Sequence, residues 1–81
     1  MAQNQPSSGG QQPMSDVLFD LVTIMSNCGE AVEALDEYID DAQQENNREV
    51  LTLFQQIRED ELRHCEMARS CLGNLVRQGK F

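Results

Sequence analysis

The chain has 81 residues, enough for one small domain, and sets 14 carboxylates against six Lys and Arg for a formal net charge of −8. That balance argues against a nucleic-acid partner and against an anionic membrane surface. No stretch is long and apolar enough to span a bilayer, and the amino terminus lacks the basic flank and apolar run of a secretory signal, so the expected location is cytoplasmic.

Residues 1–14 are mostly Gln, Ser, Gly, Pro and Asn, a composition that cannot offset ordering entropy and predicts a disordered tail. Ser15 can cap a helix, and Asp16 suits its positive end. From there Leu18, Leu21, Met25, Cys28, Val32, Leu35, Ile39 and Ala42 follow at alternating three- and four-residue steps, the signature of a coiled-coil or bundle seam. This predicts a first helix over residues 15–45. It is purely acidic, and every Lys and Arg comes later in the chain. Such a face is solvated, attracts cations, or pairs with a basic helix. Gly29 costs a helix about 1 kcal/mol relative to Ala and is expected to mark a close helix approach or a slight bend. The run Gln43-Gln44-Glu45-Asn46-Asn47 lacks apolar punctuation and predicts a hairpin turn, with Asn46 or Asn47 ending one helix or capping the next.

A second helix is expected over residues 48–76, stopping before Gly79 or a turn earlier at Gly73-Asn74, with residues 79–81 as a short tail. Val50, Phe54, Ile57, Ala68, Cys71 and Leu75 define its stripe, and the two missing steps fall on Glu61 and His64. A carboxylate and an imidazole thus stand where aliphatic side chains are expected. Burying them without partners costs several kcal/mol. Glu-x-x-His places both groups on one side of a helix, the spacing by which di-iron bundles hold metal. The same pattern also arises by chance in acidic helices, and a histidine on an apolar face can be a hydrogen-bonded core or interface residue. Cys28, Cys65 and Cys71 form no Cys-x-x-Cys pair and read as reduced, half-buried small hydrophobes.

Two amphipathic helices joined by a short turn make an antiparallel hairpin, which cannot cover both of its own stripes. A core this small is marginal alone. The expected fold is therefore all-α: a two-helix antiparallel hairpin that dimerises into a four-helix bundle. A homo-oligomer built from such dimers brings two copies of Glu61 and His64 toward a twofold axis.

The segments Glu30-Ala31-Val32-Glu33-Ala34-Leu35-Asp36-Glu37-Tyr38 and Arg58-Glu59-Asp60-Glu61-Leu62-Arg63-His64 resemble the two helix motifs of the encapsulated ferritins, half-length members of the ferritin-like superfamily. The likeness runs from about Ser15 to Leu72. It implies ferroxidase chemistry at a di-iron site formed between two chains, with Glu61 and His64 as ligands and Tyr38 in the surrounding shell. Glu30 and Glu33 resemble carboxylates on the family's iron-entry route. The resemblance also implies an encapsulin shell as partner and a place inside an encapsulin nanocompartment. Leu72-Gly73-Asn74-Leu75-Val76-Arg77 is similar to the docking tags of encapsulin cargo.

The family's first-helix ligand would fall on position 31, which is Ala31 here. Glu30 and Glu33 point away from the apolar stripe, while Cys28 faces it near the height of Arg63 and His64. Four arrangements stay open: a di-iron centre with Glu30 displaced inward, one metal shared by two Glu61/His64 pairs, a Cys28/Glu61/His64 site better suited to zinc than to redox iron, or no metal. Arg58 and Arg63 are expected to pair with the acidic helix. The reading from a different class is a non-catalytic, self-associating hairpin in which Glu61 and His64 form a buried polar layer that fixes register.

Overall fold

A computed structural model describes residues 15–80; the expected tail over residues 1–14 lies outside them. Two helices make up the described chain, α1 (Asp16–Gln44) and α2 (Arg48–Arg77). Their ends follow from local chemistry. Ser15 is extended, and its hydroxyl accepts from the Leu18 amide at 3.2 Å. Asn47 does the same for α2, its carboxamide oxygen accepting from the Val50 amide at 3.1 Å. Each cap satisfies a donor that the first helical turn leaves unpaired, worth about 1 kcal/mol.

Both helices end in the same way. Asn46 takes a left-handed conformation at φ 56°, which lets its own amide donate to the Gln43 carbonyl and the Asn47 amide to the Ala42 carbonyl. Gly79, at φ 72°, closes α2 with the equivalent bonds, Gly79 to Val76 and Lys80 to Leu75. This is the Schellman arrangement, which uses up carbonyls that the last turn would otherwise leave bare. The two asparagines therefore divide the turn between them: Asn46 stops α1 and Asn47 starts α2. Gly73-Asn74 does not interrupt α2, so the earlier of the two expected ends is not the one adopted.

The helices pack antiparallel into a slab 52 × 27 × 14 Å, about one helix deep. On α1 the inward residues are those of the expected stripe: Leu18, Cys28, Leu35 and Ala42 are buried and Leu21, Met25, Val32 and Ile39 half-buried. A Cβ added at Gly29 would meet nothing within 4 Å. Gly29 is exposed, so it marks no close approach of the helices.

On α2 the inward stripe differs from the expected one. Leu51, Phe54, Arg58, Glu61, Cys65, Ala68, Leu72 and Leu75 are buried or half-buried. They too follow three- and four-residue steps, sharing Phe54, Glu61, Ala68 and Leu75 with the stripe read from sequence. At the other four levels the next residue along faces α1, so Ile57, His64 and Cys71 are left exposed and Val50 sits half-buried beside Leu51. The rotation keeps the imidazole in water and seats a thiol in its place, which avoids a desolvation cost. It also brings Arg58 to Asp36, with Nε 2.6 Å from Oδ1.

Candidate metal centre

Glu61 and His64 stand one turn apart near the middle of α2. His64 Nδ1 lies 3.8 Å from Glu61 Oε1, within ion-pair range and beyond hydrogen-bond length. Their side chains are 29% and 59% exposed, Glu61 and His64 in that order, so the carboxylate sits at the rim of the seam and the imidazole outside it. The expectation that both belong to the buried stripe is corrected for His64: Cys65 takes the seam position.

Cys28 is the seam residue of α1 nearest this rim, and it is 7% exposed. Lost hydration pushes its thiol up from 9.0 to about 11, with further contributions from hydrogen bonding and charge at Cys65 and Glu61. Cys28 thus meets Cys65 and Glu61, where the sequence placed it opposite Arg63 and His64. All three cysteines are free.

The other expected site residues are spread out. Tyr38 is exposed and packs its ring 6.0 Å from that of Phe54, tilted by 53°. Phe54 precedes Glu61 by two turns, about 10 Å along the axis, so within one chain Tyr38 belongs to a different level from Glu61. Glu30 and Glu33 are exposed on the side of α1 turned from α2. Ala31 is half-buried at the edge of the α1 stripe. Arg63 pairs with Asp60 of its own helix, so of the two arginines expected to reach the acidic helix, Arg58 alone does so. Leu72 to Arg77 are the closing turns of α2, with Leu72 and Leu75 half-buried in the seam, so the stretch similar to a docking tag is helical.

Among the described residues, no three His, Cys, Asp or Glu side chains gather closely enough to hold a metal ion. One chain supplies two donors, the Glu61 carboxylate and the His64 imidazole. Ligands bound about 2.1 Å from one ion in tetrahedral or octahedral array lie about 3.0–3.4 Å apart. The observed 3.8 Å is within a side-chain adjustment of that span. The pair therefore fits half a site.

What surrounds the pair was hidden in the periodicity. Leu53, Ile57 and Met67 share its side of α2 and are all exposed, Met67 at 64%. On α1, Val17, Ile24, Ala31 and Tyr38 each precede a seam residue, as Val50, Ile57, His64 and Cys71 do on α2, and in an antiparallel pair these positions share one edge. This edge is mostly apolar, broken on α2 by Asp60, half-buried between Leu53 and Met67 and paired with Arg63, and Glu61 and His64 stand in its middle. Against known proteins, the chain matches no family model, no curated sequence and no solved structure.

Proposed function

We propose that the protein is a self-associating, ferritin-like hairpin that binds a divalent metal between two chains through Glu61 and His64. The supporting observation is the Glu61–His64 pair itself, 3.8 Å apart on an apolar edge that the hairpin leaves uncovered. A twofold axis passing near this level sets two pairs face to face and supplies four donors, two carboxylates and two imidazoles. Leu53, Ile57 and Met67 then shield the ligands from water, which strengthens their hold on a cation. Glu61 brings a carboxylate oxygen, and His64 brings a nitrogen ligand that disfavours hard cations such as magnesium. Iron is the metal that the resemblance implies, and zinc suits the same donors. Bound iron would supply one-electron redox chemistry at this point. Ala31 removes a family ligand, so a single shared ion fits the donor set better than a di-iron centre.

A second reading takes Glu61 and His64 as a polar layer that sets the register of a non-catalytic assembly. It is favoured by Ala31 and by the lack of a three-ligand group among the described residues.

Melting curves with Zn(II), and with Fe(II) under anaerobic conditions, separate the two. At a hundredfold excess over the dissociation constant, an ion bound only to the assembled state stabilises it by about 2.7 kcal/mol. That gain is expected in the parent and lost in Glu61→Ala and His64→Ala. Ala31→Glu, which adds a carboxylate on the same edge, is expected to tighten binding at least tenfold. A parent that ignores both metals establishes the structural reading. Variants that respond as the parent does move the site to the exposed carboxylates Glu30 and Glu33.

A further inference from the structure

The seam of a small hairpin is normally filled with aliphatic side chains, yet at its middle this one places two thiols from opposite helices together. Cys28 is buried and Cys65 half-buried, and the antiparallel register set by Arg58 against Asp36 and by Phe54 beside Tyr38 carries on to put Cys65 at the height of Cys28. Cys65 occupies the position that the rotation of α2 took from His64. Nothing in the proposed metal site uses either sulfur.

We propose that Cys28 and Cys65 are a redox-active dithiol that hydrogen peroxide closes into a disulfide, tying α1 to α2. A cross-helix disulfide requires the two Cα atoms within about 7 Å, and the seam residue one turn beyond Cys65, Ala68, is small and buried. The two sulfurs differ in access, which orders the steps. Cys65, the more exposed, attacks one peroxide oxygen. The O–O bond breaks, the departing hydroxide takes up the Cys65 proton, and the products are a Cys65 sulfenic acid and one water. Cys28 then attacks the Cys65 sulfur, and the S–O bond breaks. The second hydroxide takes up the Cys28 proton and leaves as a second water. Two thiols lose two electrons and two hydrogens in all, and one peroxide becomes two waters. Cys71 is exposed on the uncovered edge of α2, about 9 Å along the axis from Cys65, and takes no part.

The bond would close a loop spanning most of the hairpin. Chains joined this way unfold from a less disordered state. The inference stands apart from the metal reading, since it needs neither Glu61 nor His64 as a ligand.

The test treats the full-length, metal-free protein with stoichiometric hydrogen peroxide and reads intact mass, non-reducing peptide maps and melting temperature. The expected product is a chain lighter by two hydrogens, with the peptides of Cys28 and Cys65 linked. Its melting temperature is expected to rise by about 10 °C and to return on adding dithiothreitol. Cys71→Ser should behave as the parent does, and Cys28→Ser and Cys65→Ser should form no internal bond. Because either seam substitution could weaken the fold, the peptide map of the unsubstituted chain is decisive by itself. Oxygen added to Cys65 without linkage to Cys28, or linkage only between chains through Cys71, overturns the proposal.

Discussion

The two helices are nearly equal in length and both carry three- and four-residue apolar spacing, yet they are built differently. The inner stripe of α1 is the one its spacing predicts, with Val17, Ile24 and Tyr38 left exposed beside it. α2 has two overlapping stripes, and only one can face α1. The residues they share, Phe54, Glu61, Ala68 and Leu75, are inward in either case, while Leu51, Arg58, Cys65 and Leu72 displace Val50, Ile57, His64 and Cys71. A helix whose apolar arc is wider than its partner must leave part of it over. Here the surplus carries the one histidine of the chain, left in water beside the seam residue Glu61.

Truncating one side chain on the inner face and one on the exposed edge separates the two faces. Leu35, 6% exposed on α1, is expected to cost about 2–5 kcal/mol as Leu35→Ala, measured by urea unfolding. Leu53→Ala, on the exposed edge beside the surplus stripe, is expected to cost about 0.5 kcal/mol or less in dilute protein. Equal losses would erase the distinction between inner and surplus stripes. Next, Met67→Asp is expected to weaken self-association at least tenfold, about 1.4 kcal/mol, in sedimentation velocity, while the helical signal per residue is retained. A parent that sediments as a fully helical monomer at every concentration would leave the surplus stripe without an occupant of this kind.

The smallest effect concerns pH. The Cys28 thiol ionises near 11 in the fold against 9.0 as its ordinary value. Above pH 9 the unfolded chain gives up this proton first, so the folded state binds more protons and stability falls as pH rises. The contribution is fully present below about pH 9 and is lost by about pH 11. Cys28→Ala should flatten that part of the profile, and an unchanged slope would mean that the seam does not hold the thiol neutral.

Most of the hairpin was legible because its signals are local. A cap needs one side chain and an amide three residues on, so Ser15 and Asn47 could be read directly, and the Asn46-Asn47 turn has few alternatives. The stripe of α1 was legible because every one of its steps, from Leu18 to Ala42, is apolar or a thiol, although Val17, Val22, Ile24 and Tyr38 beside it are apolar too. The rotation of α2 was not, because Val50 and Leu51, or Cys71 and Leu72, are equally acceptable to a seam, and only packing against α1 chooses between them. That choice moved His64 outward and Cys65 inward, so the Cys28–Cys65 pairing could not be seen in the spacing. Glu61 was placed correctly because it belongs to both stripes. The apolar edge was missed for the same reason: Leu53 and Met67 fall on neither stripe when each is counted alone.

The slab is 14 Å deep, with consequences for its amide protons. In a thicker protein, core amides exchange with solvent deuterium only when the whole fold opens. Here both broad faces of every helical turn lie open to water, so no backbone segment is shielded by a second layer. Protection in the isolated hairpin rests on helical hydrogen bonds alone, and these open turn by turn from the ends. Slow exchange across the centre of α2 would therefore register the arrival of another layer, and its dependence on protein concentration would count the chains that bring it.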